Sequence, residues 1–128
     1  MVDSFSRWFR RKGYETTPTY HPMQCLIAAA KDRFDVAVVD IGMPDMHGFE
    51  VLDELVQLEM FPVIVLSVPN DAGFQAEAIG LGASRYLVKP ATMEDLEFAI
   101  HEAIARFRAP VPFTSYTHSG RRPSRNPV

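Results

Sequence analysis

Residues 35–49 read Asp-Val-Ala-Val-Val-Asp-Ile-Gly-Met-Pro-Asp-Met-His-Gly-Phe, and the fold turns on them. Val36 to Val39 form a short, unbroken apolar run closed by Asp40. A run with no polar alternation suits a parallel strand covered on both faces. Residues 41–47 hold Pro44 and read as a loop. Gly48 to Glu59 follows as a helix, with Phe49, Leu52 and Val56 on one side.

Outward from that stretch the pattern repeats. Pro62 to Leu66 (Pro-Val-Ile-Val-Leu) is a second buried strand, residues 67–71 a loop, Ala72 to Leu81 a helix closed by Gly82, and Ser84 to Val88 a third strand. Thr92 and Asp95 pair as a capping box that opens a last helix, striped by Leu96, Ala99, Ile100, Ala103, Ile104 and Phe107. Upstream, Phe5, Trp8 and Phe9 recur at helical spacing before Gly13, and Pro22 opens another helix carrying Leu26, Ala29 and Ala30. Tyr14 to Thr17 reads as a weak polar strand stopped by Pro18. Strands alternating with helices through short connections predict an open parallel α/β sheet with helices on both faces.

At 128 residues the chain is one domain, and 47% apolar with 23% charged residues is ordinary for a globular protein. The lone Cys25 excludes an internal disulfide. No apolar run approaches the roughly 18 residues of a membrane span, and no secretory signal pattern opens the chain, so the nucleus or cytoplasm is expected. Residues 1–102 carry 16 acids against 8 Lys/Arg, a net −8, whereas residues 103–128 carry five Arg and no acid. An acidic body argues against nucleic-acid binding by the fold. Residues 109–128, rich in Pro, Ser, Thr and Arg, read as a disordered tail following a body of 1–108.

Function in open parallel sheets gathers at the carboxyl ends of the strands. Those ends carry Asp40, Ser67 and Lys89. Singly, each has a bland reading: a loop-capping acid, a strand-end hydroxyl, a surface lysine. Together an acid, a hydroxyl and an amine suit phosphoryl transfer to a carboxylate, with the amine and hydroxyl neutralising phosphoryl oxygens.

Val39–Phe49, Val63–Ser67 and Gly82–Pro90 (Gly-Ala-Ser-Arg-Tyr-Leu-Val-Lys-Pro) resemble the three motifs of response-regulator receiver domains. Residues 58–64, Leu-Glu-Met-Phe-Pro-Val-Ile, resemble plant type-B regulators of cytokinin signalling in particular. The resemblance runs from about Phe5 to Phe107. It implies a flavodoxin-like sheet of order 2-1-3-4-5, Asp40 as phosphoacceptor, and Ser67 and Lys89 on the phosphoryl group. Tyr86 would be the switch aromatic, Gly42 a backbone ligand of Mg²⁺ beside Asp40, and the Lys89–Pro90 bond cis. It also implies a non-enzymatic module fed by a histidine-containing phosphotransfer protein, with other response regulators as further partners. His21, His47 and His101 match no family site.

The family's first, central strand ends in the acids that hold Mg²⁺. The chain as read begins in the helix after it, with Asp3 in mid-helix. The expectation is a receiver without that strand and its acidic pair, with weak or absent Mg²⁺ binding. A buried strand of this kind contributes roughly 8–15 kcal/mol of burial, at about 1.5–3 kcal/mol per large side chain. Either the Tyr14 strand pairs with the Val36 strand instead, or the edge stays open. The alternative function is a pseudo-receiver, an interaction module that binds partners without being phosphorylated. A flavin or nucleotide site lacks the Gly-rich loop it needs, and no DNA-binding pattern follows Phe107.

Overall fold

The computed structural model describes residues 2–41, 48–69 and 72–108. Helix α1 spans Val2–Arg11 and ends on Gly13 at φ 99°, a left-handed C-terminal stop. Helix α2 is Pro22–Lys31, with proline in its first turn. Strand β1 is Ala37–Ile41, helix α3 Gly48–Gln57, strand β2 Val63–Ser67, helix α4 Ala72–Leu81, strand β3 Arg85–Val88 and helix α5 Met93–Arg108. The strands run parallel in the order β1-β2-β3, pairing Ala37 with Val63, Ile41 with Ser67, and Ser67 with Val88.

Two cores lie on either side of the sheet. Val39, Ile41, Val63 and Val65 face Ala29, Leu52, Leu55 and Ala78 of α2, α3 and α4. Ile64 and Leu66 face Phe9 of α1 and Leu96, Ala99, Ile100 and Ala103 of α5. Alternate β2 side chains thus serve opposite cores, and all five residues of the strand are buried. This is why Val63–Leu66 reads as a continuous apolar run.

Local signals hold where local chemistry decides them. Asp95 N donates to Thr92 Oγ1 at 2.9 Å, and Thr92 N to Asp95 Oδ2 at 3.4 Å, the expected capping box. Gly82, at φ 112°, ends α4 where an added Cβ would sit 2.6 Å from Val56 Cγ1. Gly48 starts α3 against β1, where a Cβ would lie 2.8 Å from Ile41 Cγ1 and 3.3 Å from its Cα.

One expectation is corrected. Residues 14–19 are not a strand. Tyr14 N donates to Phe9 O at 3.0 Å, continuing the stop of α1, and Ser6 Oγ shares a 2.9 Å hydrogen bond with Thr16 Oγ1. β-favouring residues such as Tyr14, Thr16 and Thr17 do not make a strand without a strand beside them. The segment does not slide in to pair with β1. Among the described residues, the outer edge of β1 is open.

Candidate functional site

Parallel topology brings the carboxyl ends of β1, β2 and β3 to one edge of the sheet. Asp40 is the penultimate residue of β1, Ser67 the last of β2, and Lys89 follows β3. The register locks them together: Ile41 pairs with Ser67, and Lys89 N donates to Ser67 O at 2.8 Å. The Lys89–Pro90 bond is cis, as expected.

Asp40 is 7% exposed and Ser67 fully buried. Lys89 Nζ donates to Asp40 Oδ1 at 2.7 Å, an ion pair whose ends are largely withdrawn from water. Asp40 Oδ2 is buried and has no hydrogen-bond partner among the described residues. A buried carboxylate oxygen without a partner is costly, and such an atom is a candidate for chemistry or for a ligand. Ser67 Oγ donates to Val68 O at 3.1 Å, so its hydroxyl is occupied locally rather than bonded to Asp40.

Of the residues singled out from sequence, Asp40 and Lys89 meet directly, and Ser67 stands at the adjoining strand end. Tyr86 lies on β3 opposite Val65, half-buried against the core shared with α3 and α4, and does not hydrogen-bond the other three. Gly42 falls outside the described residues, as do Met43, Pro44, Asp45 and His47. His21 precedes α2 without a side-chain cap, and exposed His101 lies 2.5 Å from the Tyr14 hydroxyl, far in sequence and role from Asp40. The Tyr14 hydroxyl also donates to Glu97 Oε2 at 2.6 Å. The Glu97–His101 spacing on α5 was the one sequence signal for this cluster.

The fit to Mg²⁺ can be tested on the donor set. Hard cations take six or more oxygens. The described residues offer Asp40 Oδ2, and no group of three or more His, Cys, Asp or Glu is placed to hold a metal among them. These residues alone do not complete a magnesium shell.

The response regulator receiver domain family matches residues 1–101. The chain belongs to that family. This receiver domain is 37% identical over 100 residues to the transcriptional regulatory protein KdpE of Mycobacterium tuberculosis, covering 78% of the chain and 41% of KdpE. It is 42% identical over 90 residues to the two-component response regulator ORR22 of Oryza sativa (68% of the chain, 13% of ORR22). Against ARR12 of Arabidopsis thaliana it is 40% identical over 87 residues (66% and 14%). The chain thus spans less than half of these relatives, and both bacterial and plant regulators resemble it.

Among solved structures, a CheY-like receiver domain from Methanospirillum hungatei superposes with a TM-score of 0.74 at 26% identity, covering 82% of this chain and 85% of that one. A receiver domain from Clostridium thermocellum gives 0.72 at 28%, covering 82% and 86%. The receiver fold is therefore shown. Receiver domains as a family take part in two-component signalling and bind Mg²⁺ for phosphorylation. No helix among the described residues is long and apolar enough to cross a membrane.

Proposed function

We propose that this receiver domain accepts a phosphoryl group on Asp40 in a His-to-Asp phosphorelay. The observation that carries the reading is the buried Asp40, with Oδ1 held by Lys89 and Oδ2 without a partner among the described residues. In the step, Oδ2 attacks the phosphorus of a phosphohistidine. The O–P bond forms, the N–P bond breaks, and the imidazole leaves with its electron pair. Lys89 offsets charge on the transferred group, and the Ser67 hydroxyl, turned from Val68 O, would hydrogen-bond a phosphoryl oxygen. Tyr86 would register the change by repacking. The donor is a histidine-containing phosphotransfer protein. The body of 1–108 carries this chemistry, with 109–128 appended, and the setting is plant cytokinin response in the nucleus or cytoplasm. The 40% and 42% identities to the Arabidopsis and rice two-component response regulators support the two-component part of that setting, and the cytokinin part rests on the resemblance of residues 58–64.

A second reading is a pseudo-receiver that binds other response regulators or phosphotransfer proteins unphosphorylated. The sparse metal donors and the open outer edge of β1 among the described residues favour it. Intact mass after incubation with Mg²⁺ and a small-molecule phosphodonor separates the two. A gain of one phosphoryl group, lost in Asp40→Asn, is the expected result. No gain in folded protein would transfer the assignment to the pseudo-receiver.

A further inference from the structure

Half of the 8 Lys/Arg of residues 1–102 lie within residues 7–12, at the end of α1. Lys12 is engaged, 3.5 Å from Glu97 and 5.0 Å above the Trp8 ring. Arg7, Arg10 and Arg11 are exposed and form no ion pair among the described residues. Their i, i+3, i+4 spacing groups them on the face of α1 turned away from the core that Phe9 enters. Helix electrostatics alone accounts for them, since cations suit the end of a helix.

Helix α3 repeats the pattern with the opposite sign. Residues 48–61 carry Glu50, Asp53, Glu54 and Glu59 and no Lys or Arg. Glu50, Asp53 and Glu54 share the i, i+3, i+4 spacing, on the side away from buried Leu52 and Leu55. Asp53 accepts a hydrogen bond from Gln57 Nε2 at 3.0 Å. Asp53, Glu54 and Glu59 form no ion pair among the described residues. Here helix electrostatics gives no account. Glu54 and Glu59 stand at the negative end of the α3 dipole, where acids are unfavourable. Glu59 also adopts φ 56°, a left-handed conformation that glycine takes without strain. An acidic face kept against the preference of its own helix points to a contact outside it.

We infer that the α3 face of one copy docks on the α1 face of another, joining copies of this receiver domain head to tail. Three observations select a second copy as the occupant. The two stripes have the same spacing, so their charges match over one helical turn of about 6 Å. The helices lie against opposite cores, α3 against one face of the sheet and α1 against the other, so a single chain cannot bring them together. Leu58 and Met60, 38% and 53% exposed, flank Glu59 and add apolar surface to the acidic stripe. Because the two faces differ, the contact is heterologous, and each added copy presents a fresh face for the next. Exposed charges dominate it, so it is weak and salt-sensitive. It uses neither Asp40 nor the edge of β1, and it stands whether or not the phosphoacceptor reading does.

Sedimentation velocity of the full chain tests the inference. The weight-average sedimentation coefficient should rise with concentration at low salt without halting at a dimer, and association should weaken about ten-fold or more between about 20 and 300 mM salt. Amide shifts that depend on concentration should fall on residues 7–12 and 50–60. The triple variants Arg7→Glu, Arg10→Glu, Arg11→Glu and Asp53→Arg, Glu54→Arg, Glu59→Arg should each be monomeric. A chain with all six substitutions keeps the parent's net charge and has complementary faces again, so it should associate as the parent does. A parent that stays monomeric at low salt overturns the inference, as do shifts confined to other helices. Growth that stops at a dimer assigns a two-fold contact and overturns the head-to-tail form. A folded six-substitution chain that stays monomeric overturns the charge pairing. If a variant fails to fold, the salt series and the shift map of the parent decide.

Discussion

Asp40 and Lys89 show what one contact contributes at the residue scale. The carboxylate is buried with one oxygen satisfied and one not, so its only described ionic support is the lysine. Lys89→Met should lower the unfolding free energy by about 1–3 kcal/mol, the cost of stranding a buried acceptor. Adding Asp40→Asn should return much of the loss, because the stranded charge is then gone. Urea unfolding of the four proteins of the cycle reads this coupling, and simple additivity would show that the pair contributes nothing.

Tyr14 is a second residue with a definite expectation. Burial, then the hydrogen bond to Glu97 and its negative charge, push the phenol from 10.0 up to about 12. A raised phenol pKa contributes stability that is full below the unfolded value and is lost as pH rises from about 10 to about 12. The advantage of the parent over Tyr14→Phe should therefore shrink across that window in unfolding measurements. Glu97 has the opposite sign. The Tyr14 hydrogen bond lowers its pKa, so its contribution is present above pH 4.5 and fades as pH falls through the folded value. In Tyr14→Phe the Glu97 titration followed by NMR should shift upward.

At the scale of elements, the helices are set by short-range chemistry and the strands by their company. Helix α5 owes its start to the Thr92–Asp95 exchange of hydrogen bonds. Thr92→Ala should cost about 1 kcal/mol in chemical denaturation and leave the receiver fold intact, whereas an unchanged midpoint would mean that packing of Leu96 and Ala99 alone holds the helix. Strand β2 has a paired neighbour on each edge and a core on each face. Residues 14–17 resemble a strand in composition but have no strand beside them among the described residues; Tyr14 N bonds the end of α1 and the Thr16 side chain bonds Ser6.

At the scale of the whole molecule, the described residues form two cores that share one three-stranded sheet, and stability should be graded from β2 outward. Amides of Ile64, Val65 and Leu66 should exchange slowest, at the rate of global unfolding, since only loss of both cores exposes them. Native-state exchange that ranked α5 above β2 would contradict a sheet-centred core. The outer edge of β1, open among the described residues, is also a property of the molecule at this scale. It arises from which segments lie next to one another, and no single residue announces it.

What the sequence determined alone was everything carried by short-range pattern. The apolar runs at 36–39 and 63–66, the glycine stops at Gly13 and Gly82, the capping box and the proline at the head of α2 all encode local free-energy preferences that survive packing. The placement of Asp40, Ser67 and Lys89 at strand ends was legible for the same reason, since parallel topology sends successive strand ends to one edge. Tertiary structure alone decided which oxygen of Asp40 meets Lys89, that Ser67 bonds its own neighbour's carbonyl, that Tyr14 turns to α5 instead of the sheet, and that Arg108 closes on Asp35. Those contacts join residues far apart in the chain, except at Ser67, and their energies depend on burial and distance, which no local pattern contains.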